Sequence, residues 1–236
     1  MSKQREFDVI IWGATGFTGR LVAEYYLKQY GLGGDLKWAM AGRSQTKLEQ
    51  VRSSLGNNDI PLLLADSHDP ESLSALVKRS KVICTTVGPY AKYGNELVAA
   101  CVENGTDYCD LAGETQWIRR MIDQHYAAAQ KSGSRIVHCC GFDSIPSDMG
   151  TYFLQKEAKN QFGEYCQQVK MRLKSIKGGF SGGTFASMNN VMDEASKDPS
   201  VAKTIFNPLF FVFLTGGRSI PIKSKVGFPL PGEISR

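Results

Sequence analysis

A run of β-favouring, apolar residues, Val9-Ile10-Ile11-Trp12, empties directly into Gly13-Ala14-Thr15-Gly16-Phe17-Thr18-Gly19. Beyond the third glycine, Leu21, Val22 and Tyr25 fall on one helical face, and the pattern stops at Gly31. A buried strand, a glycine turn and a helix therefore follow one another with no spare residues. Gly13, Gly16 and Gly19 remove the Cβ atoms that would block a tight turn and keep bare backbone available to a ligand. The helix start adds unpaired N–H groups and the positive end of a dipole, which together suit a pyrophosphate. G-x-x-G-x-x-G alone is weak evidence in a chain with 24 glycines. Its position between strand and helix gives it meaning.

The same alternation continues for about the first 145 residues. Strands are expected at Phe7–Trp12, Lys37–Ala41, Pro61–Ala65, Lys81–Val87, Asp107–Leu111 and Arg135–Cys139. Helices are expected between them, at Phe17–Tyr30, Gln45–Leu55, Asp69–Arg79, Asn95–Asn104 and Thr115–Ser132. Asp69-Pro70-Glu71 reads as an N-cap, a proline at the first helical position and a first-turn acid. Gly56, Gly105 and Gly133 stand where a left-handed residue ends a helix. Continuous apolar strands in strict alternation with helices predict an α/β fold of the Rossmann type, a doubly wound parallel sheet covered on both faces.

After Ile145-Pro146 the texture changes, and a domain boundary is placed there: 1–145 as a nucleotide domain and 146–236 as a second, partial α/β domain. A helix near Ser147–Lys159 is followed by Val169-Lys170-Met171-Arg172-Leu173-Lys174, whose period of two predicts a half-exposed antiparallel strand. Gly178 to Thr184 reads as a flexible turn before a helix with Phe185, Met188, Met192 and Ala195 on its apolar side. Leu209-Phe210-Phe211-Val212-Phe213-Leu214 is strongly apolar but far short of the ~20 residues that span a bilayer. It suits a core segment, a homodimer contact or a peripheral membrane contact, and the sequence leaves these open. Pro229-Leu230-Pro231-Gly232 reads as a loop.

The end of the second strand, Ala41-Gly42-Arg43-Ser44, bears on the nucleotide's identity. NAD sites use an acid here for the adenosine ribose hydroxyls, and none lies between Leu36 and Leu48. Arg43 offers a cationic fork suited to a 2′-phosphate, and the Ser44 hydroxyl adds a donor. A charge-assisted hydrogen bond of about 1.5–3 kcal/mol would shift preference roughly ten- to a hundredfold toward NADP over NAD. Asp66, after the third strand, suits either the adenine pocket or turn chemistry ahead of Asp69. Val87-Gly88-Pro89-Tyr90 follows the fourth strand, which lies beside the first at the sheet's switch point, where the diphosphate and nicotinamide ribose should pass.

These segments, with Tyr93-Gly94, Asp110-Leu111-Ala112-Gly113-Glu114 and Gly141-Phe142-Asp143-Ser144-Ile145-Pro146-Ser147-Asp148, resemble the saccharopine dehydrogenase-like oxidoreductases, the group that includes the trans-acting enoyl reductases. The resemblance spans about residues 7–150 and implies an NADP-binding Rossmann domain followed by a mixed α/β domain carrying the substrate site. Members extend beyond this length, so it also implies an incomplete second domain here.

Hydride transfer needs a nicotinamide held against substrate, often with a proton donor nearby. By topology, Tyr90, Tyr93, Glu114 and Asp143 lie at the ends of the fourth to sixth strands. Tyr90 or Tyr93 is a candidate to protonate an enolate or alkoxide, and Glu114 to orient substrate. Each has an ordinary structural use as well: tyrosines pack on turns, Glu114 stands at a helix start, and Asp143-Ser144 precedes a helix it could cap. Tyr152 and Lys156 match a Tyr-x-x-x-Lys spacing but lie one element too late. His68, His125 and His138 form no metal pattern with the cysteines, so no metal is expected. A net charge of +5, spread along the chain, gives no nucleic-acid signature. The six cysteines lack C-x-x-C spacing and read as reduced thiols of a cytoplasmic protein.

The reading is an NADP-dependent oxidoreductase acting on a small or lipid-linked enoyl, carbonyl or amino-acid-derived substrate. Its alternative is a catalytically silent NADP(H)-binding regulatory module.

Overall fold

The computed structural model describes residues 5–175, 177–179 and 181–205. The chain opens with β1 (Phe7–Trp12), α1 (Phe17–Tyr30), β2 (Trp38–Gly42), α2 (Gln45–Ser54), β3 (Leu62–Leu64) and α3 (Pro70–Val77). It continues through β4 (Ser80–Thr85), α4 (Tyr90–Tyr93), α5 (Asn95–Asn104), β5 (Asp107–Cys109), α6 (Thr115–Ser132) and β6 (Ile136–Val137). The strands form one sheet in the order β3-β2-β1-β4-β5-β6, every pairing parallel. β1 and β4 are neighbours although a β2–β3 excursion separates them in sequence. That is the switch point of a doubly wound sheet.

Both faces of the sheet are covered, which explains why the strands read as unbroken apolar runs. Ile10 and Ile11, adjacent and pointing to opposite faces, are both fully buried. Ile11 joins Met40, Trp38, Leu48 and Val51 under α1 and α2. Ile10 joins Ile83, Leu73, Leu97, Val98 and Trp117 under α3, α5 and α6. Each such side chain contributes about 1.5–3 kcal/mol of transfer free energy. The local signals behave as their chemistry requires. Asp69 Oδ1 accepts from the Glu71 and Ser72 amides, a cap of about 1 kcal/mol. Gly56, Gly105 and Gly133 all take positive φ.

The second region departs from the sequence reading in more than one place. Val169–Lys174 forms no strand; the stretch is irregular and largely exposed. Its period-two pattern has no neighbouring strand among the described residues to pair with, and a lone strand leaves its backbone groups unsatisfied. The helices here are α7 (Ile145–Phe162), α8 (Gly182–Lys197) and α9 (Pro199–Ile205). α7 starts at Ile145, two residues earlier than expected, with Pro146 in its first turn. α8 begins inside the expected glycine turn, because Ser181 Oγ accepts from the Thr184 amide and caps it. The Leu209–Leu214 and Pro229–Gly232 segments lie outside the described residues. Among the described residues, no helix is long and apolar enough to cross a membrane.

Candidate functional site

The β1–α1 turn is built by contacts that only glycine permits. Gly13 has φ +87°, and a Cβ there would lie 2.4 Å from Val87 Cγ2. A Cβ on Gly19 would lie 2.1 Å from the Gly13 carbonyl oxygen. The first turn of α1 folds back onto the loop, and the loop rests on the β4 end. Gly16 occupies the N-cap of α1 without a side-chain cap, and the first turn carries no acid. The N-terminal amides are therefore left for an exogenous anion.

This turn forms one wall of a cleft of about 800 Å³. Trp12, Gly13, Thr15, Gly16, Phe17 and Thr18 line it from β1–α1, and Gly42 and Arg43 from the end of β2. Asp66, Ser67 and His68 contribute from the β3 end, and Thr86, Val87 and Gly88 from the β4 end. Among the described residues nothing pairs with the exposed Arg43 guanidinium. Ser44 caps α2 by accepting from the Lys47 amide at 3.4 Å, and its hydroxyl proton stays available to donate. Asp66 Oδ1 accepts from the His68 amide at 2.9 Å, so its turn role is realised while it also faces the cleft. Ala14 is fully buried behind the loop and Gly19 lies beneath it; both shape the cradle from behind. The Gly88–Pro89 peptide is cis.

The opposite wall holds the catalytic candidates. Tyr90, Tyr93, Leu111, Gly113, Glu114 and Asp143 line it together with α8. The Tyr90 phenol is buried against Trp117, its hydroxyl 3.4 Å from both the Thr85 carbonyl and the Leu111 amide. Burial pushes that phenol well up, and the nearby Asp110 carboxylate adds to the effect. Tyr93 is half-buried, its ring 5.5 Å from His68. Asp143 is exposed at the mouth, and Ser144, not Asp143, takes the N-cap of α7. Glu114 is 1% exposed, and its carboxylate accepts from the Tyr90 and Ala91 amides at 2.7 and 2.9 Å and from Ser187 Oγ at 2.8 Å.

Sequence reasoning missed two features. One face of α8, at Thr184, Ser187, Met188, Val191 and Met192, turns into the cleft. The helical period was visible, yet which face meets the cleft depends on long-range packing; Phe185, placed on the apolar side, lies outside that lining. The other is Asp110, whose buried carboxylate accepts from Tyr108 Oη, His138 Nδ1 and the Ala112 and Cys139 amides. Those bonds hold Cys139 at φ 60° in the turn after β6. In the sequence it stood only within the Asp110–Glu114 motif, with nothing to show that it would be buried. Tyr152, on exposed α7, is not part of the cleft.

Residues 9–137 match the family model described as saccharopine dehydrogenase NADP binding domain. This chain belongs to that family. Rv2449c of Mycobacterium tuberculosis is 46% identical over 206 residues, covering 86% of this chain and 48% of its own length. A protein named trans-acting enoyl reductase in Mycobacterium bovis is 42% identical over 208 residues, covering 87% of this chain and 49% of its own. The chain thus spans about half the length of the curated relatives it matches. Apo saccharopine dehydrogenase (L-Glu forming) from Saccharomyces cerevisiae superposes with a TM-score of 0.53 at 16% identity, over 65% of this chain and 32% of that one. That likeness establishes the shared fold. The residues present fit the family's cofactor: the uncapped α1 terminus and the side-chain-free surface of Gly16 suit a diphosphate, and Arg43 brings a cation to the same cleft.

Proposed function

We propose that this chain is the NADP-binding part of an oxidoreductase, with residues 1–145 holding the nucleotide and residues from 146 onward beginning the substrate domain. The observation that carries the reading is a single cleft joining an uncapped glycine cradle to Arg43 on one side and to Tyr90, Tyr93, Glu114 and Asp143 on the other.

In this reading the amides of the β1–α1 turn take the diphosphate, Arg43 and Ser44 take the 2′-phosphate, and Asp66 borders the adenine. Val87, Gly88 and Pro89 let the nicotinamide ribose pass the β4 end, with Tyr90 closing the turn. The bound cofactor supplies a hydride. Tyr93 is the best-placed proton donor, since it is half-exposed in the cleft while the Tyr90 hydroxyl is engaged and hard to ionise. Asp143, at the mouth, contacts or orients substrate. Met188, Val191 and Met192 give the substrate side an apolar wall, which suits an enoyl or carbonyl compound, free or lipid-linked, as the names of the mycobacterial relatives suggest.

A silent regulatory module has no observation of its own in its favour, because the cleft continues past the nucleotide cradle to polar groups fit for proton transfer. Calorimetric titration of the purified chain with NADPH and NADH tests the reading. Saturable binding with NADPH the tighter ligand is expected; no heat with either at millimolar concentration overturns it.

A further inference from the structure

Glu114 is a buried acid to which no described residue brings a cation. Among the described residues its partners are two amides of one turn, Tyr90 and Ala91, and one hydroxyl from another part of the chain, Ser187. All three are donors, and the carboxylate accepts them with both oxygens: Oε1 takes the Tyr90 amide and the Ser187 hydroxyl, and Oε2 takes the Ala91 amide. The geometry also joins α8 to the first domain. Ser187 Oγ would lie 3.3 Å from a Cβ on Gly88, so the hydroxyl that reaches Glu114 also packs over the Gly88–Pro89 turn. Two helical turns further on, Glu194 of α8 pairs with Arg120 of α6 at 3.1 Å. α8 is thus pinned at two points on one face, and the inner pin passes through Glu114.

We infer that Glu114 is a positioning residue: an anionic latch by which α8 locks the Gly88–Tyr90 turn into the conformation that seats the nicotinamide half of the cofactor. This rests on the NADP reading above. It assigns the acid a task separate from the adenine half, which Arg43 and the α1 cradle hold at the far end of the cleft. Loosening the latch should therefore affect one half of the cofactor and spare the other, which a general loss of folding would not do.

The test compares NADPH with adenosine 2′,5′-bisphosphate, which carries the adenine half alone, binding to the full chain as wild type, Glu114→Gln, Ser187→Ala and Ser187→Thr. In Glu114→Gln the amide N–H₂ must replace Oε1 or Oε2, each of which accepts from a backbone N–H, so one contact is lost while the shape is kept. NADPH affinity should fall about tenfold in Glu114→Gln and about two- to tenfold in Ser187→Ala. Adenosine 2′,5′-bisphosphate should bind all four proteins alike, and Ser187→Thr, which keeps the hydroxyl, should match wild type. Equal loss of both ligands, or of neither, in Glu114→Gln and Ser187→Ala overturns the latch. A wild-type chain that binds neither ligand overturns the NADP reading, and the latch with it.

Discussion

Gly19 and Gly13 are in backbone contact: a methyl group added at Gly19 would sit 2.1 Å from the Gly13 carbonyl oxygen. No flexible side chain can move aside to relieve it, because the obstructing atom is main chain. The helix start can approach the loop this closely only with hydrogen in place of a side chain at Gly19.

Gly19→Ala is therefore expected to push α1 off the loop and cost about 1–3 kcal/mol of stability. A drop in thermal midpoint, with loss of NADPH binding even where the variant stays folded, is the expected pair of results. Thermal unfolding alongside nucleotide fluorescence reads both.

Arg43→Ala removes a guanidinium that no described residue neutralises. NADP(H) binding should weaken roughly ten- to a hundredfold while NAD(H) binding stays nearly level. Calorimetry with both nucleotides checks this, and equal losses would refute the 2′-phosphate assignment.

The two tyrosines should separate by phenotype. Tyr93→Phe is expected to lower NADPH oxidation against short enoyl thioesters by about 10²–10⁴ without changing NADPH affinity. Tyr90→Phe removes a buried hydroxyl held by Thr85 and Leu111, so about 1 kcal/mol of stability should go with it. Steady-state rates and urea midpoints for both variants distinguish these outcomes.

Asp8 gives the sheet a pH dependence of known sign. Its carboxylate takes Lys81 Nζ at 2.6 Å and the Lys37 amide at 2.8 Å, tying the starts of β1, β2 and β4. The Lys81 contact, then the Lys37 amide, hold its pKa below the ordinary 3.8. A lowered folded-state pKa means the contribution is full above 3.8 and lost as pH falls through the lowered value. Its partner Lys81 is exposed to solvent, so the effect is about 0.2–1 kcal/mol. Urea midpoints of wild type and Asp8→Asn should differ at pH 6 and draw together as pH falls below 3.8.

The parallel sheet and its helices were readable in the sequence because their signals are local. Ile10 and Ile11 announce a doubly covered strand, Asp69-Pro70 a helix start, and Gly105 and Gly133 helix ends. The glycine turn at the start of α1 was legible for the same reason, since loop, glycines and helix are contiguous. The substrate side was not. Ser187 meets Glu114 across 73 residues of chain, and nothing near either residue advertises the other. Val169–Lys174 shows the converse failure: alternation records which residues are polar, whereas a strand also needs a neighbour to bond with.

The bracing of the nucleotide loop has a thermodynamic consequence. Val87 fills the space behind Gly13, and Gly13 backs Gly19, so the main chain is arranged before any phosphate arrives. A preorganised receptor spares the ordering entropy that a floppy one must give up on association. Docking of the diphosphate should consequently resemble an ion settling into a rigid mould, with little refolding of the loop and an on-rate governed by diffusion and charge.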